Sequence, residues 1–127
     1  TQAQTDAGAD DTVAVTPKKL RWGFSISLTQ NGYMIFPSWM GGLIIQWGLV
    51  VVNETIAANT YYVDNVIFPT TFPSALFAVL SSLSTGNAPN QFANISAEQQ
   101  TTSGFDAYYS NGSGGGVRGI RWIAIGV

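Results

Sequence analysis

Leu43-Ile44-Ile45-Gln46-Trp47-Gly48-Leu49-Val50-Val51-Val52 is the stretch on which the fold turns. Written as a strand, it puts Leu43, Ile45, Trp47, Leu49 and Val51 on one face and Ile44, Gln46, Gly48 and Val50 on the other. Neither face is polar. Such a strand needs cover on both sides, from a second sheet on one and from a neighbouring chain on the other. A later run, Arg118-Gly119-Ile120-Arg121-Trp122-Ile123-Ala124-Ile125-Gly126, matches it in character: apolar, β-branched, with one Trp and glycine near its ends. The two runs bracket a domain of short strands.

Outward from there, period-two patterning continues. Phe24, Ile26 and Leu28 alternate with Ser25, Ser27 and Thr29, which predicts a half-buried strand. Gln30-Asn31-Gly32 is a hairpin signal, and it leads into a short strand from Tyr33 to Phe36 that Pro37 closes. Ser38-Trp39-Met40-Gly41-Gly42 reads as a loop. Tyr61 to Phe68 is a further strand. Two Phe-Pro steps, Phe68-Pro69 and Phe72-Pro73, follow and suit a crossing between sheets with both rings buried, because proline cannot donate to a ladder. Ala75 to Leu83 is a strand with a short helix as the alternative. Gln91 to Glu98, Phe105 to Tyr109 and Val117 to Ile125 complete the set, separated by loops over 85–90 and 110–116. The sum is a mainly β chain, an antiparallel β-sandwich over residues 22–127. Residues 1–21 read as a partly helical connector: turns over Gln2–Ala7 stopped by Gly8, then a helix start at Thr16-Pro17 running through Leu20.

Composition narrows the function. The 127 residues are 46% hydrophobic and only 9% charged, against about a quarter charged in ordinary soluble domains. A surface so short of charge is expected to be hidden in part against other copies, so a homo-oligomer is anticipated. After residue 21 the only charges are Glu54, Asp64, Glu98, Asp106, Arg118 and Arg121, which make no basic patch and argue against nucleic acid. There is no Cys and no His, which removes thiolate chemistry, the commonest metal ligand and the usual general base. The scattered acids carry no catalytic motif, so no enzyme activity, no cofactor and no metal site are expected. Leu43 to Val52 is too short to span a bilayer as a helix, and no membrane insertion is expected. No secretory leader opens the chain, which suits either a particle released by lysis or a fragment of a longer fibre.

Thr5-Asp6-Ala7-Gly8 with Asp10-Asp11-Thr12 and Val15-Thr16-Pro17-Lys18-Lys19-Leu20 resembles the shaft segment of tailed-phage fibres. Gly42-Leu43-Ile44-Ile45-Gln46-Trp47-Gly48, Phe72-Pro73 and the closing Trp122-Ile123-Ala124-Ile125-Gly126 resemble the C-terminal domain of phage and prophage tail fibres of the gp53-like group. This chain has Val127 where that group commonly has an aromatic. The resemblance implies a homotrimeric β-sandwich at the tip of a fibre, in a virion or a phage tail-like particle. It also implies contact with a bacterial surface receptor, often a polysaccharide or lipopolysaccharide. The competing role is structural, a domain that registers and caps three chains while recognition lies elsewhere.

A glycan-gripping tip needs aromatic platforms for C–H faces and amides or hydroxyls for sugar hydroxyls. Candidates are Tyr108, Tyr109 and Trp39, with Asn87, Asn90 and Asn111 beside them. Tyr108 and Tyr109 point to opposite faces if extended, so at least one is expected outward. Trp47 and Trp122 are expected in packing instead. Arg121 is expected to pair with Asp64 or Asp106.

Overall fold

The computed structural model describes residues 1–9, 12, 14–52, 55–85, 93–111 and 115–127. Among the described residues two short helices, α1 (Gln2–Ala7) and α2 (Pro17–Leu20), precede nine strands. These are β1 (Ser25–Ser27), β2 (Gly32–Ile35), β3 (Ile44–Val50), β4 (Thr55–Ile56), β5 (Tyr61–Ile67), β6 (Leu76–Thr85), β7 (Ala93–Glu98), β8 (Gly104–Asn111) and β9 (Gly115–Gly126). The connector follows its local signals. Thr1 and Gln4 close a capping box at the start of α1, and Gly8 ends it in the left-handed conformation. Pro17 opens α2.

Every pairing is antiparallel. The larger sheet runs β1-β2-β3-β9. β3 and β6 pair with the same residues of β9, Ile120 to Gly126, so they lie on its two opposite edges. β4 meets the first residues of β9. The smaller sheet is β5-β8-β7. This is the expected sandwich, and the 75–83 segment is strand, not helix. β4 was not anticipated, and β8 and β9 reach further into the stretch expected as a loop.

The core lies between the sheets. β3 turns Ile44, Gln46 and Gly48 inward, and β9 adds Ile120, Trp122 and Ala124. Val66, Phe105, Ala107 and Tyr109 come up from the smaller sheet. The Phe-Pro crossing behaves as read. Phe68 and Phe72 are buried edge-to-face with ring centroids 5.3 Å apart, and Phe68 sits 5.4 Å from the Trp122 ring. Gln46, fully buried, fastens this crossing to β3. Its Nε2 donates to the Thr70 carbonyl at 2.7 Å, and the Thr70 N–H donates to its Oε1 at 2.9 Å.

Two expectations about burial need correction. Phe24, Ile26 and Leu28 are exposed in the single chain, because β1 is an edge strand that nothing among the described residues covers, although Phe24 packs edge-on against Phe36. Arg121 pairs with neither Asp64 nor Asp106: it lies exposed on β9, in the other sheet, while Asp64 accepts from Tyr109 and Asp106 from Asn65.

The Asn31 signal works through its side chain. Asn31 Oδ1 accepts from the Leu49 N–H at 2.8 Å, and Trp47 Nε1 donates to the Thr29 carbonyl at 3.1 Å, so the β1–β2 loop clasps β3. Asn31→Ala is expected to lower stability by about 1 kcal/mol, the ordinary worth of one such bond, read as a shift in the urea midpoint without a change of slope.

Candidate functional site

The sandwich leaves two outward faces of different chemistry. On the larger sheet, the register places Ile26, Met34, Ile45 and Ile125 across four strands, with Trp47, Ile123 and Leu80 in the next row. Leu80 is 64% exposed, and Phe77, at a bulge in β6, is 62% exposed. Arg121 is the one charge in this array among the described residues. An apolar face this wide is unusual for a lone chain.

The smaller sheet is different. β8 is its central strand and alternates from Phe105 to Tyr109: Phe105, Ala107 and Tyr109 point in, Asp106 and Tyr108 point out. Register then assembles two rows across the outward face, Val63–Tyr108–Ser96 and Asn65–Asp106–Glu98. Asn65 Nδ2 donates to Asp106 Oδ1 at 2.8 Å. Tyr61 and Ile67, at the two ends of β5, are 77% and 76% exposed. Beside the second row lies a shallow depression of about 390 Å³ lined by Asn65, Ile67, Gln99, Thr101, Ser103 and Asp106. Its rim is held firmly. Thr101 Oγ1 donates to the Gly104 carbonyl and accepts from the Gly104 N–H, while Phe68 N–H and Phe72 N–H donate to Ser103 and Thr102.

The candidate residues separate accordingly. Tyr108 is half-buried and central on the outward face of the smaller sheet. Tyr109 is removed from the contact set: it is 3% exposed, its ring stacks on Tyr62, and its hydroxyl donates to Asp64 Oδ2 at 2.9 Å. A buried phenol needs such a partner, and Asp64 on the neighbouring strand supplies it. Trp39 is not on this sheet. It sits in a single 3-10 turn, Ser38–Met40, between β2 and β3, against which α1 lies, and its indole N–H is enclosed without a hydrogen-bond partner among the described residues. Asn87 and Asn90 lie outside the described residues, as does the side chain of Asn111. Asn65 and Asp106, not singled out in the sequence as contact residues, emerge only from the register of β5 against β8.

Among the described residues no group of three His, Cys, Asp or Glu could hold a metal, and no helix is long and apolar enough to cross a membrane.

Comparison with known proteins accords with this architecture. The N-truncated R1-type pyocin tail fiber has a TM-score of 0.69 at 24% identity, over 90% of this chain and 98% of that one. A longer P. aeruginosa R1 pyocin fiber gives a TM-score of 0.69 at 24% identity, over 90% of this chain and 32% of that one. At that identity the likeness is one of fold. An uncharacterized protein of Methanocaldococcus jannaschii is 35% identical over 105 residues, which is 76% of this chain and 62% of that protein. The chain thus spans less than two thirds of that relative. The family model for tail fiber protein gp53-like, C-terminal, matches residues 36–127. With most of its sandwich inside that match, the chain belongs to the gp53-like tail fibre C-terminal family.

Proposed function

We propose that this domain is the tip of a tail fibre that attaches a phage or phage tail-like particle to a bacterium by binding a surface glycan or lipopolysaccharide, without catalysis. Residues 1–21 lead in from the fibre shaft and 22–127 form the tip. The observation that carries this reading is the division of labour between the two outward faces. The broad apolar face of the larger sheet suits burial against other copies in a homotrimer. The smaller sheet offers an aromatic among amide, hydroxyl and carboxylate groups, which is the chemistry that grips sugars. Three copies per fibre and several fibres per particle turn weak contacts into firm attachment.

Light scattering on the purified chain is expected to give three times the chain mass, and Leu80→Glu on the apolar face is expected to break that assembly. Labelled protein is expected to bind cells of a susceptible strain and to be displaced by lipopolysaccharide from it. A folded single subunit would defeat the assembly reading, and adsorption unaffected by any surface glycan would favour a purely capping role.

A further inference from the structure

We infer that Tyr108, Asp106 and Asn65 form a subsite for one pyranose ring that presents a vicinal diol and no anionic group; this rests on the glycan-binding reading above.

The bond from Asn65 Nδ2 to Asp106 Oδ1, 2.8 Å long, fixes both side chains on neighbouring strands. Asn65 keeps a second amide hydrogen and Asp106 a second carboxylate oxygen, and neither has a further partner among the described residues. A donor and an acceptor are thereby held side by side toward solvent. That is the complement of two adjacent equatorial hydroxyls: one donates to the carboxylate, and the oxygen of the other accepts from the amide. The hydroxyl–carboxylate bond is charge-assisted and the stronger of the two. Tyr108 lies two residues further along β8 on the same face, roughly 7 Å away by strand geometry, where its ring meets the C–H side of the same sugar. The hydrogen-bonded turn at Thr101–Gly104 keeps the adjoining depression open for the next unit of the chain.

Charge sets the selectivity. Glu98 is paired in register with Asp106, and the two carboxylates are the only charges on the outward face among the described residues. Of the described cations, Arg121 is on the other sheet and Lys18, Lys19 and Arg21 are at α2. A uronate or phosphate brought to this face meets like charge with no cation of the described residues on the face to offset it, so acidic glycans are rejected.

The test uses the full chain on a printed array of bacterial oligosaccharides made of neutral hexoses, uronic acids or phosphorylated sugars. Wild-type protein is expected on neutral spots. Tyr108→Ala and Asp106→Asn are each expected to weaken that binding at least tenfold while the unfolding temperature and assembly mass hold. Glu98→Gln is expected to leave neutral binding unchanged and to raise signal on acidic spots several-fold, a gain that damage to folding cannot mimic. Wild-type binding that survives both losses within twofold, or that is strongest on acidic spots, overturns the subsite while the glycan reading stands. Wild-type silence on every spot overturns the glycan reading and the subsite with it.

Discussion

Gln46→Leu is expected to destabilise the domain by about 2–4 kcal/mol, although leucine is apolar, of similar size and enters a buried site. The amide of Gln46 answers both backbone groups of Thr70, one donor and one acceptor, as a neighbouring strand would. Leucine answers neither. A stranded buried polar group costs about 1–3 kcal/mol, and Thr70 is itself only half-buried, so water reclaims part of the loss and the lower part of the summed range applies. Gln46→Glu separates this from simple packing. It keeps the acceptor for Thr70 N–H but sets a second acceptor against the Thr70 carbonyl, and it buries a charge, so it is expected to be at least as damaging. Urea unfolding measures both. A Gln46→Leu protein within 0.5 kcal/mol of wild type, an order-of-magnitude bound for a neutral surface change, would refute the assigned role.

Trp122→Ala is expected to lose roughly 3–5 kcal/mol, the range for removing a large buried aromatic. Trp122 sits under both Phe68 and Phe105, at centroid distances of 5.4 Å and 6.2 Å, so its loss leaves a cavity between the sheets that neither ring can fill alone. The facing residue sharpens the test. A methyl group at Gly48 would stand 2.5 Å from Trp122 Cζ2 and 2.6 Å from Cε2, with Asn31 Oδ1 also at 2.6 Å. Gly48→Ala should therefore cost about 1–3 kcal/mol through overpacking. In a Trp122→Phe background part of the obstructing ring is gone, and the same change should cost about 1 kcal/mol less. Additive costs would show that Asn31, and not the indole, is what excludes a side chain at Gly48.

Much of this fold was legible because alternation is a local signal. All strands but β4 were foreseen, and β4 has two residues, too few for a period. The crossing at Phe68-Pro69 and Phe72-Pro73 was legible for a similar reason, since proline forbids continuation of the ladder. Sidedness was harder. β3 is apolar on both faces, and the Ile44–Gln46–Gly48 side turns inward because Thr70 needs the Gln46 amide and Trp122 needs the room at Gly48. Neither partner is near in sequence. The same limit applies to the site. Two adjacent tyrosines announce that one faces in and one out, but Asp64, on another strand, decides that it is Tyr109 that turns in. Asn65 and Asp106 stand 41 positions apart and become neighbours only once β5 and β8 are in register.

The place of β9 also governs how the domain can be made. It follows β3 and β6 in chain order, yet it fills the gap between them in the larger sheet. Until it arrives, two long strands carry raw hydrogen-bonding edges beside greasy surface, and pairing across so great a sequence separation is slow. During synthesis from the N-terminus the chain is therefore expected to be unfinished and adhesive until β9 is made, and a pause by the ribosome before Gly115 is expected to favour clumping over completion.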